Sequence, residues 1–121
     1  MRRIAMFTVA LIATLSLALL LTVTGSQAAT KLTGTVGPGF TIDLRKGSTK
    51  VTSLKAGTYT ILVTDRSSIH NFHLKGSGVN KATSVKRVER ATWTVRLKVG
   101  RYTYVCDPHA STMKGSFRVV R

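Results

Sequence analysis

The chain has 121 residues, with 19 Lys and Arg against four Asp and Glu, for a formal net charge of +15. Its single cysteine excludes an intramolecular disulfide framework. The basic residues are scattered along the chain with no nucleic-acid motif among them, which argues against a nucleic-acid partner.

In chain order, Met1-Arg2-Arg3 is a short positive start, and Ile4 to Val23 is apolar with only Thr and Ser as interruptions. Ser26-Gln27-Ala28 offers small residues where a signal peptidase reads, so cleavage before Ala29 is expected. The apolar run is also just long enough to span a bilayer, which makes an uncleaved anchor the alternative. No cysteine stands near the cleavage site to carry a lipid. The expected organisation is residues 1–28 as a signal peptide and residues 29–121 as one small domain of 93 residues (121 − 28). Loss of Arg2 and Arg3 leaves 17 basic residues against four acidic ones, a net of +13. For an exported protein that charge points to an anionic partner: a redox protein with an acidic docking face, an anionic membrane surface or a cell-wall polymer.

Beyond the leader there is no helical period. Short runs rich in Thr, Val, Ile, Tyr and Phe alternate with Gly, Ser and Lys, the pattern of strands and turns. Strands are expected near Leu32–Val36 and Phe40–Leu44, separated by the turn Gly37-Pro38-Gly39. Lys46-Gly47-Ser48 and Lys55-Ala56-Gly57 are further turns. Tyr59–Val63 is a strand with Tyr59, Ile61 and Val63 on one face, and Ile69–Leu74 is another that carries histidines. Lys75–Gly78 is a loop, and residues 79–91 hold either one strand through Val85 and Val88 or a loop. Thr92–Leu97 alternates with Trp93, Val95 and Leu97 inward, Tyr102–Cys106 follows, and Ser116–Val120 closes the chain. Seven to eight short strands with regular turns predict an all-β sandwich.

The most informative stretch is Cys106-Asp107-Pro108-His109-Ala110-Ser111-Thr112-Met113. An exposed free thiol outside the cell is oxidised, whereas a thiol bound to metal has a reason to persist. Cys106, His109 and Met113 sit on one turn, and His70 lies upstream on a strand whose parity turns it inward with Phe72 and Leu74. One thiolate, two imidazoles and a thioether are the ligand set of a blue-copper electron-transfer site. His73, three residues on, takes the opposite parity and is expected to face solvent with Asn71. Zinc is the competing metal, but there is no paired Cys-x-x-Cys unit, and a thioether suits copper better. Nucleophilic Cys–His hydrolysis lacks a separately positioned base and orienting group.

With His70-Asn71, Gly100-Arg101-Tyr102-Thr103-Tyr104-Val105-Cys106, Cys106-Asp107-Pro108-His109 and Met113-Lys114-Gly115 in view, residues 30–121 resemble a cupredoxin, the family of plastocyanin, pseudoazurin and amicyanin. The resemblance implies a Greek-key β-sandwich with a tyrosine-corner strand. It also implies one Cu(I)/Cu(II) ion per chain, with His70, Cys106 and His109 as equatorial ligands and Met113 as the axial one. Three residues separate His109 from Met113, intermediate between the loops of plastocyanin and amicyanin, so the subfamily stays open. The expected function is a monomeric, exported carrier of single electrons with no reaction on a substrate of its own. A copper-delivery or copper-buffering module is the alternative. Asn71 is placed to tie the His70 segment to Asp107, and His109 to serve as the electron entry point with Ala110, Ser111 and Thr112 as its rim.

Overall fold

The computed structural model describes residues 21–25 and 27–121. The expected signal peptide therefore falls mostly outside the described residues, among which no helix is long and apolar enough to cross a membrane. The domain is two five-stranded sheets face to face. One has the order β3-β2-β1-β5-β8, built from β1 (Thr30–Val36), β2 (Ile42–Lys46), β3 (Thr49–Lys50), β5 (Gly57–Asp65) and β8 (Glu89–Leu97). The other has the order β4-β10-β9-β6-β7, built from β4 (Ser53–Lys55), β6 (His73–Gly76), β7 (Val79–Ala82), β9 (Gly100–Val105) and β10 (Lys114–Val120). Neighbours in each sheet are antiparallel except β1 with β5 and β4 with β10, so the chain crosses between sheets as a Greek-key sandwich does. Among the described residues there are ten strands rather than seven or eight, because β3, β4 and β7 are shorter than composition alone can resolve.

The strands form where β-branched and aromatic side chains recur every second residue. In β5, Tyr59, Ile61 and Val63 turn inward, in β9 Tyr102 and Tyr104, and in β10 Phe117 and Val119. Every described core side chain lies between Leu32 and Val119. Gly34 interrupts the inward row of β1 because the Phe72 ring occupies its place: a Cβ there would lie 3.0 Å from Phe72 Cζ. Phe72 in turn stacks on Tyr104, with centroids 5.5 Å apart and planes within 5°. The tyrosine corner is made by Tyr102, whose hydroxyl accepts from Lys98 N at 2.9 Å.

Three expectations are corrected. The second strand begins at Ile42, and Phe40 stands in the β1–β2 loop, 65% exposed. The histidine-bearing strand starts only at His73, so His70 to Phe72 are irregular backbone. In residues 79–91 the strand is β7, ending at Ala82, while Val85 and Val88 lie in the loop before β8 and Val88 is exposed.

Candidate metal centre

Three chain segments meet at one end of the sandwich. β9 delivers Cys106 just past its last residue. A single 3₁₀ turn, Asp107–His109, then folds His109 back over it, with Pro108 suited to that first turn because it needs no N–H there. The turn is pinned at both ends: Cys106 N donates to Met113 O at 2.9 Å, and Met113 N donates to His109 O at 2.8 Å. The third segment, Arg66–Phe72, brings His70 across from the other side.

The side chains converge closely. Cys106 Sγ lies 3.6 Å from His70 Nδ1 and 3.6 Å from His109 Nδ1, and the two Nδ1 atoms lie 3.0 Å apart. All three donor atoms fall within 4.8 Å of one another. Cys106 and His70 are fully buried and His109 is half-buried. Met113 is buried as well, and its backbone is fixed to both Cys106 and His109. Two imidazole nitrogens and a thiol sulfur crowded around one point form a set of lone-pair donors that one cation would use together. The donor set therefore fits a soft metal ion, and copper in particular.

A dense polar frame holds the segments in place. Asn71 is buried, contrary to its expected outward parity, because irregular backbone frees it from strand alternation. Its Oδ1 accepts from Asp107 N at 2.8 Å, and its Nδ2 donates to Asp107 Oδ2 at 2.8 Å. This is the tie between the His70 and Cys106 segments that the sequence suggested. His73 does not point freely into solvent either. Its Nδ1 lies 2.9 Å from both Asp107 oxygens and its Nε2 lies 2.6 Å from Asn80 Oδ1. Partial burial pushes the Asp107 carboxyl up, but bonds from Asn71 and His73, with the charges of His73 and Lys75, outweigh it and hold the carboxyl below its usual value.

Two further groups support the site and escaped the sequence reading. Thr83 clamps the His70 segment. Phe72 N donates to Thr83 Oγ1 at 2.8 Å, Thr83 N donates to Phe72 O at 3.0 Å, and Thr83 Oγ1 donates to Asp65 Oδ2 at 2.7 Å. Asp65 is fully buried, and burial pushes its carboxyl up despite the bonds from Thr83 and Ser67 N. Phe40 is the other group. Its ring meets His70 and His109 edge-on, with centroids 5.0 Å from each, and lies across the solvent side of the donors. Gly37 allows this loop to come so close. Its φ is +69°, and a Cβ there would lie 2.9 Å from Ser67 Cβ and 3.5 Å from His70 Cδ2. No motif announces Thr83 or Phe40, since a threonine or a phenylalanine in a Gly/Pro-rich stretch has no signature of its own.

Residues 44–120 match the model of the plastocyanin/azurin family of copper-binding proteins. Among solved structures, reduced rusticyanin superposes with a TM-score of 0.58 at 21% identity, covering 79% of this chain and 82% of that one. Rusticyanin from Thiobacillus ferrooxidans gives 0.56 at 20% identity, covering 78% and 79%. Auracyanin from the photosynthetic bacterium Roseiflexus castenholzii gives 0.54 at 18% identity, covering 78% of this chain and all of that one. No curated protein matches the sequence. With the family model spanning well over half of its length, the chain belongs to the plastocyanin/azurin family of copper-binding proteins.

Proposed function

We propose that this protein is an exported copper protein that carries single electrons between redox partners. His70, Cys106 and His109 would hold one copper ion, with Met113 as the axial donor. The observation that carries this reading is the convergence of Cys106 Sγ and two Nδ1 atoms, 3.0 to 3.6 Å apart, at a largely buried sandwich end. Bound copper supplies a one-electron Cu(I)/Cu(II) couple. The chain's own residues supply rigidity. The Asn71–Asp107 pair, the Thr83 clamp and the Cys106–Met113 backbone bond fix the donors to both sheets, so a change of charge at the ion meets donors that move little. Low rearrangement is what fast electron exchange requires.

His109 is the more exposed of the two imidazoles. Electrons would pass through it at a rim formed by Ala110, Ser111 and Thr112, with exposed Phe40 and Ile69 beside it. An acidic face on the partner would suit the basic chain, and the protein would act as a monomer. No substrate reaction is assigned.

The test is the visible spectrum of residues 29–121 titrated with Cu(II) and then reduced with ascorbate. An intense blue thiolate-to-copper band that bleaches and returns is expected, and Cys106→Ser abolishes it while far-ultraviolet dichroism stays unchanged. Tight Cu(II) binding without that band assigns the site to copper delivery or buffering instead.

A further inference from the structure

The acidic residues are sorted along the long axis of the sandwich. All four acidic residues lie toward the metal-centre end. Asp107 follows Cys106, Asp65 and Glu89 face each other at that end of β5 and β8, and Asp43 pairs with Thr35 near the end of β1. The opposite end has exposed Lys55, Arg96, Lys98, Arg101, Arg118 and Arg121, and no acidic side chain among the described residues. Two of these arginines lie opposite each other on neighbouring strands: Arg101 on β9 is in register with Arg118 on β10, and its Nη2 donates to Ser116 Oγ at 3.2 Å. Like charges directly opposite on neighbouring strands destabilise a sheet. Folding gains nothing from that pair, whereas an anion lying across it would turn the repulsion into attraction.

Two further features lie at the same end. Val99 and Val120 are exposed among the cations, at 55% and 45%. The chain also arrives there. Thr30 is in register with Tyr59, whose hydroxyl donates to Lys55 O at 2.6 Å, and residues 27–30 line a groove with Lys55 and Val120. The apolar run Ile4–Val23 in the sequence therefore leads into this basic end and not into the metal-centre end. Arg101 stands five residues before Cys106 on one strand, about 16 Å away at the usual strand rise. A redox partner seated on these cations would be far from the exposed imidazole, so electron exchange at His109 does not account for the cluster.

We propose that this end docks on an anionic phospholipid surface. Headgroup phosphates would sit among Lys55, Lys98, Arg101 and Arg118, with Val99 and Val120 at the headgroup boundary and the metal-centre end facing outward. Cations at a charged leaflet each add to binding, and their effect fades within a Debye length, about 10 Å at 0.1 M salt. Cations at the far end of the sandwich therefore contribute little. This inference is independent of which metal the site holds.

The experiment is co-sedimentation of residues 29–121, at roughly 0.1 M salt, with vesicles of equal phosphatidylglycerol and phosphatidylcholine, and with phosphatidylcholine alone as control. Two variants lose the same charge: K98Q/R101Q/R118Q at the basic end, and R66Q/K86Q/R90Q near the metal-centre end. Thermal melts verify that both fold. Binding should need phosphatidylglycerol. The first variant should lose about a hundredfold in partitioning, roughly fivefold per cation, and the second only a few-fold. Equal losses in both variants, or no binding by the parent, overturn the proposal. So does retained vesicle binding by the first variant with lost retention on a polyglutamate resin, which would assign this end to an acidic protein.

Discussion

Asn71 does more at the candidate site than its place beside His70 suggests. It satisfies the Asp107 amide and one Asp107 oxygen at once, so the two ligand segments cannot shift independently. Removing such outer partners of a metal site typically costs about 10 to 100-fold in affinity. Asn71→Ala is expected to weaken copper binding by that order in competition with a chelator. Unchanged affinity would show that the Cys106 turn holds itself. Met113→Leu should keep copper but raise the reduction potential, because Cu(II) gains more than Cu(I) from a fourth donor; voltammetry reads this directly, and an unshifted potential removes Met113 from the site. Cys106, His109 and Met113 stand out in the sequence because a thiol, an imidazole and a thioether on a single tight turn have few other uses. Strand parity turns His70 inward, as its burial bears out although its backbone is irregular, but the same parity puts Asn71 and His73 outward, where the structure does not place them. Phe40, two residues before Ile42, has the composition of a strand, and nothing local reveals that its ring lies against two histidines.

At the scale of elements, the loop between β7 and β8 is the part the sequence left open, and it proves to be a structural tie. Thr83 joins three segments through one side chain and its backbone. Thr83→Val keeps the shape but strands Phe72 N and an Asp65 oxygen in a buried place. Each unsatisfied group costs about 1 to 3 kcal/mol, so a loss of about 3 kcal/mol in urea unfolding is expected. The loop is closed farther on by Glu89, which accepts from Ser84 N at 2.6 Å and Arg87 Nε at 3.0 Å. The Ser84 bond, helped by Arg87, holds the Glu89 carboxyl below its ordinary value. A depressed carboxyl stabilises the fold above its unfolded pKa, and the gain is lost as pH falls through the lower folded value. Glu89→Gln should flatten that part of the acid-unfolding curve by lowering stability slightly at neutral pH while leaving stability in acid nearly unchanged. A curve that keeps its full slope would place the acid sensitivity elsewhere. Alternation carried the long strands β5, β8 and β9 correctly. It could not carry β3, β4 and β7, which run for only two to four residues, too few to show a period; β4 moreover owes its pairing to β10, distant in sequence.

For the molecule as a whole, net charge sets how it meets small reactants before any specific partner is considered. Residues 29–121 carry +13, and such a field raises the local concentration of anions at a reactive surface and lowers that of cations, by factors of about 10 or more at low salt. The half-exposed His109 lies at the end where the acids gather, so the local field there is milder than the net charge implies. Oxidation of the reduced copper protein by ferricyanide, an anion, should therefore slow as ionic strength rises. Oxidation by a cationic cobalt complex should quicken. The two slopes have opposite signs, and the effective charge they report should fall well below +13 because the oxidant senses charges within about a Debye length of His109. Slopes matching the full net charge would mean that electrons leave near the basic flank, not through His109. Rates without salt dependence would reduce the charge to solubility. The measurement thus locates the electron exit by electrostatics alone, with no natural partner in hand.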